Sequence, residues 1–117
     1  MLVVMVYGSA RLTFALPEAG TVRVHGFTAV DMRKNWGKLN RLIAQEGWQA
    51  MRQKTAEYHN RYFEGTVREA RAGAQLVLWP EMAVMVAKED EPAFVARAQQ
   101  IARDEGIYLA IGVGTIY

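Results

Sequence analysis

The sequence predicts an α/β fold in which short strands alternate with helices beside a largely parallel or mixed sheet. Three observations point there. Apolar runs rich in β-formers occur at residues 21–30, 76–79 and 107–115. Between them, apolar residues recur at helical spacing over residues 48–70 and 94–102. Glycine or proline marks most of the junctions. A chain of 117 residues, 51% of them hydrophobic, suffices for one small domain but not two.

Along the chain, Met1 to Tyr7 is apolar, but Arg11 cuts the run short of the roughly 17 to 25 residues that span a bilayer. It also lacks the basic start and small-residue cleavage site of a secretory signal. Residues 1–16 therefore form a lead-in, either the end of a membrane helix with Tyr7 and Arg11 at the interface, or an edge strand or frayed terminus. Leu16-Pro17-Glu18-Ala19-Gly20 is a connector, and residues 21–117 are the domain, opening with a β-branched strand over 21–30.

From Asp31 to Gly47, Trp36-Gly37 and Glu46-Gly47 read as breaks, leaving a loop with about three helical turns at most around Leu39, Leu42 and Ile43. Trp48, Met51, Thr55, Tyr58 and Tyr62, continued by Phe63, Val67 and Ala70, predict a long helix packed on the sheet through that stripe. Arg52, Lys54, Glu57, Arg61, Glu64, Arg68, Glu69 and Arg71 fall mostly on the opposite, solvated face, and His59 reads as a surface residue among them. Residues 82–87 are apolar without a clear period. Glu91-Pro92 opens a second helix, whose stripe of Phe94, Val95, Ala98, Ile101 and Ala102 ends at Gly106. Residues 107–115 then read as a single buried strand. Its alternating Gly112 and Gly114 predict close backbone approach, since no lysine or helix start follows to make a phosphate loop.

Composition excludes several functions. Fourteen basic and 12 acidic residues, net +2 with no like-charge block, leave no footprint for nucleic acid. There is no cysteine, hence no disulfide or thiolate nucleophile, and two distant histidines do not suggest a metal cluster. No residue pattern calls for a cofactor.

The remaining chemical feature is Leu76-Val77-Leu78-Trp79-Pro80-Glu81, an apolar strand stopped by a proline and followed at once by a carboxylate. In α/β folds ligands and catalytic groups collect outside the carboxyl ends of strands, so Glu81 is a candidate general base. Beneath Trp79, partial desolvation would raise its proton affinity. The alternative is a solvated glutamate in a turn.

The segment over residues 66–86, with Trp79-Pro80-Glu81 as its one specific motif, resembles the catalytic-glutamate segment of the nitrilase (carbon-nitrogen hydrolase) superfamily, and Trp before Pro-Glu looks like its apolipoprotein N-acyltransferase branch. That branch continues Pro-Glu-Thr-Ala, where this chain has Met82-Ala83. The resemblance implies an α-β-β-α sandwich, of which residues 21–117 would be roughly the N-terminal half. It also implies a Glu-Lys-Cys enzyme with Glu81 as the base. Lys88 lies too near Glu81 to match the family lysine, so lysine and cysteine would both lie beyond this sequence, and the chain alone would be inactive. Thr28 and Asp31 are the only candidates for the polar residue that often follows the family's first strand. The implied substrates are phospholipid and the N-terminal amine of a lipoprotein, and the implied place is a membrane with the catalytic domain outside the cytoplasm. The alternatives are a soluble, cytoplasmic amidase or nitrilase, and a non-catalytic α/β binding module.

Overall fold

The computed structural model describes residues 21–28 and 32–117, with Met32 and Arg33 described by backbone alone. The lead-in over residues 1–16 and Asp31 lie outside the described residues. The chain is mixed α/β: β1 (Val24–Gly26), α1 (Met32–Glu46), α2 (Trp48–Arg71), β2 (Leu76–Leu78), β3 (Val84–Ala87), α3 (Glu91–Asp104), β4 (Tyr108–Ala110) and β5 (Val113–Ile116). A 3₁₀ turn, Lys88–Asp90, leads into α3.

Helix ends follow their glycines. Gly47, at φ 85°, separates α1 from α2. Gly73 (φ 99°) and Gly106 (φ 63°) end α2 and α3. There Ala74 and Ile107 donate backward to Glu69 and Ala102, and Gly73 and Gly106 to Ala70 and Arg103. This paired pattern satisfies last-turn carbonyls that would otherwise be orphaned, and it needs a left-handed residue. Pro92 and Glu91 sit in the first turn of α3, where a missing N–H costs nothing and a negative charge meets the helix dipole favourably.

The three-stranded sheet has the order β1-β2-β4, all parallel, with β2 central as the apolar pattern predicts. His25, Val77 and Leu109 are in register across it and face inward, with Val77 fully buried. Their neighbours Val24, Leu78 and Tyr108 face outward and are 51%, 38% and 80% exposed, so this face of the sheet carries no covering layer among the described residues.

Two expectations need correction here. The run over residues 107–115 is not one strand: Gly112 divides β4 from β5, and β5 pairs in parallel with β3 in a second, two-stranded sheet. β3 itself occupies the apolar stretch that showed no period, and all four of its residues are buried. A strand covered on both faces has no reason to alternate.

The core lies between α2 and the two sheets. Met51, Thr55, Tyr58, Tyr62, Phe63 and Thr66 are the buried stripe of α2, meeting Val77, Trp79, Val84 and Val86 from the strands and Phe94 and Ala98 from α3. Full burial of each large apolar side chain contributes about 1.5–3 kcal/mol. Trp79 is the hub: its ring lies 4.8 Å from Tyr62, 5.3 Å from Phe63 and 6.3 Å from Phe94. Its indole Nε1–H donates to the buried Thr66 hydroxyl at 2.8 Å.

Candidate functional site

β2 and β3 run alongside β4 and β5 almost as two continuous strands, both broken at the same level. Leu78 pairs with Ala110 and Val84 with Val113, so five residues, 79–83, stand beside only two, 111 and 112. The excess is expelled as a loop with Glu81 at its tip. Two bonds pin its base: Trp79 N–H to the Ala110 carbonyl at 2.9 Å and Ala83 N–H to the Gly112 carbonyl at 3.1 Å. A third, Ala83 N–H to the Pro80 carbonyl at 3.1 Å, closes a four-residue turn with Glu81 and Met82 in the middle.

Each residue of the turn has a physical role. Proline ends the ladder because it has no N–H to donate. Met82 takes φ 55° at the third position, where a type II turn requires a left-handed residue and glycine is usual. Such a non-glycine residue costs about 1–3 kcal/mol and persists where surrounding structure holds it. Gly112 supplies that hold: a Cβ there would lie 2.4 Å from the Pro80 carbonyl oxygen and 2.8 Å from the Glu81 Cα. The sequence suggests close approach of a neighbouring strand at Gly112 and Gly114, but the Glu81 loop makes it at Gly112 and methionine side chains at Gly114.

Glu81 itself is exposed. Trp79 does not cover it, because a strand alternates its side chains and the indole turns inward to the core. The expected desolvation of Glu81 beneath Trp79 is therefore not found. Thr28 is also exposed. The loop follows the carboxyl end of the central parallel strand, the position for which the α/β rule singles out Glu81.

A second cluster was not foreseen. His59 is half-buried, not a surface residue: its Nε2 lies 2.8 Å from the Met85 carbonyl of β3, and its ring meets Phe94 edge-on at 4.9 Å. Burial pushes its pKa below the ordinary value and nearby Arg97 pushes the same way, while the Met85 bond and Asp90 oppose. The imidazole is thus neutral at pH 7, with Nε2–H donating and Nδ1 an acceptor. Around it, Arg52 holds Asp90 through both carboxylate oxygens, with Nε to Oδ2 at 2.7 Å, and keeps that carboxyl below its usual range. The spacing of His59 does carry a signal, since it lies four residues after Thr55 and four before Phe63, both on the buried stripe of α2. The strand it meets there, β3, was itself unforeseen.

The charged face also hides a partner for β1. Glu69 lies 3.5 Å from His25 Nδ1 and is largely shielded, whereas Glu64 is exposed. Among the described residues no group of His, Asp and Glu could hold a metal ion, and no helix is long and apolar enough to cross a membrane. Comparison with protein-family models, with curated proteins and with solved structures finds no match for this chain.

Proposed function

We propose that residues 21–117 form the N-terminal half of a carbon-nitrogen hydrolase-like catalytic domain and that Glu81 is its general base. The observation that carries this reading is the loop of Trp79-Pro80-Glu81, expelled at the carboxyl end of the central parallel strand with its carboxylate open to a reactant. The uncovered outer face of the β1-β2-β4 sheet is where the second sheet of an α-β-β-α sandwich would pack.

By resemblance to the apolipoprotein N-acyltransferase branch, the nucleophile is a cysteine beyond this sequence. Glu81 accepts the thiol proton, and the thiolate attacks the carbonyl of a phospholipid acyl ester. A thioester forms, and the lysophospholipid leaves with a proton returned from Glu81. The free amine of a lipoprotein's first residue then attacks the thioester, giving an amide and restoring the thiol. The family lysine stabilises the oxyanion in both steps. Because Glu81 is exposed in this chain, its desolvation comes with the substrate or with the surface that closes over the loop. By the same resemblance the enzyme would sit at a membrane with its catalytic domain outside the cytoplasm.

The test is Glu81→Gln in the full-length protein that contains this chain, assayed for acyl transfer to a lipoprotein amine. Gln keeps the shape but cannot take a proton, so turnover should fall about 10²- to 10⁴-fold. Glu64→Gln, at an exposed site on α2, is the control and should leave turnover unchanged. Equal activity in the two variants would reduce Glu81 to a turn residue.

A further inference from the structure

A groove of about 430 Å³ runs between α2 and the start of α3, within the range of small-molecule sites. Its apolar lining includes the exposed Ala56 and Ala93, with Phe63 and Phe94 beneath them. The phenyl rings are almost wholly buried and packed on Trp79, so that part of the floor is rigid.

Two guanidinium groups border the groove, and they differ in one respect. Arg52 is spent, bound in a fork by Asp90 with Glu89 a further 3.5 Å contact. Arg97 has no carboxylate within ion-pair distance among the described residues. It is nevertheless held in place. One of its N–H groups donates to Asn60 Oδ1 at 2.7 Å, and its guanidinium carbon lies 4.5 Å from the centroid of the Phe63 ring. A stacked, tethered arginine has already lost much of its rotamer freedom, and its remaining donors form a planar fork that matches a carboxylate.

We propose that this groove binds a small organic carboxylate with a flat apolar body. The carboxylate takes the free fork of Arg97, and the body lies against the exposed Ala56 and Ala93, over the rigid layer that the two buried rings form. Preorganisation of Arg97 lowers the ordering cost of binding. The site is independent of the Glu81 reading, and either can fail without the other.

The test titrates the isotope-labelled 117-residue chain with benzoate and, separately, with its neutral isostere benzamide, followed by NMR. Benzoate should saturably shift the Arg97 Nε–H and the backbone amides of Ala56 and Ala93, with benzamide at least tenfold weaker. Arg97→Gln keeps a donor for Asn60 but removes the charge and the fork, and should weaken benzoate at least tenfold. Arg97→Lys keeps the charge without the fork and should fall between the two. The lysine variant also decides the matter if the glutamine variant does not fold. Equal response to benzamide, undiminished benzoate binding in either variant, or shifts that do not saturate would overturn the proposal.

Discussion

Thr66 and Trp79 show how much one buried polar pair governs this core. Both are almost completely buried, and among the described residues the indole N–H has the threonine hydroxyl as its partner. Thr66→Val preserves shape while orphaning that N–H, which costs about 1–3 kcal/mol in a site closed to water. Thr66→Ser keeps the acceptor and loses one methyl, a cost near 1 kcal/mol. Urea unfolding of both variants should therefore rank valine as the more damaging of the two or, at the least, its equal. A loss under about 0.5 kcal/mol for Thr66→Val would mean that the indole finds another acceptor. The sequence names neither for the core, since the expected α2 stripe runs through Val67 rather than Thr66 and Trp79 is expected over Glu81. It does not pair them, because their contact joins a helix to a strand 13 positions on. The same limit hid the bond from His59 to Met85, 26 residues away on an element that period analysis passes over, although the spacing of His59 to Thr55 and Phe63 puts it on the buried stripe.

At the scale of elements, legibility followed how many faces an element buries. α2 buries one stripe and was readable to within a residue of its observed ends. α1 was underestimated: it runs 15 residues, about four turns, through Trp36-Gly37. A mid-helix glycine costs only about 1 kcal/mol, and Gly37 faces open space while buried Leu39 anchors the helix two residues on. The broken strand at residues 107–116 was illegible for a different reason, since the break answers the loop expelled from the neighbouring strand. This makes Gly112 the residue on which the Glu81 loop turns. A Cβ at Gly112 would strike backbone atoms of Pro80 and Glu81, whereas at Gly114 it would meet the sulfur atoms of Met85 and Met82, ends of flexible side chains. Gly112→Ala should cost about 1–3 kcal/mol and shift the Glu81 amide resonance, while Gly114→Ala should cost less and leave that resonance in place. Equal effects from the two would show that the loop does not lean on Gly112.

For the whole molecule, the joint between the layers is His59. It reaches from α2 to the backbone of β3 and to the ring of Phe94 on α3, so its proton state bears on the docking of three elements at once. Burial and Arg97 lower its pKa from 6.5, against the opposing pull of the Met85 carbonyl and Asp90. The folded state therefore holds fewer protons on this group than the unfolded chain, and stability falls on acidification. The contribution is complete above about pH 6.5, where both states are neutral, and is lost as pH falls through the lower folded value. The Asp90 carboxyl, held below its usual range mainly by Arg52, adds a second loss at more acidic pH that is separate from the first. His59→Gln retains an N–H donor for Met85 without a titrating ring. Its unfolding free energy should change less between pH 7 and pH 5 than that of the parent chain, and His25, common to both, drops out of the difference. Parallel pH profiles for the two proteins would mean that His59 is solvated in solution and that its proton state does not bear on the docking of these elements.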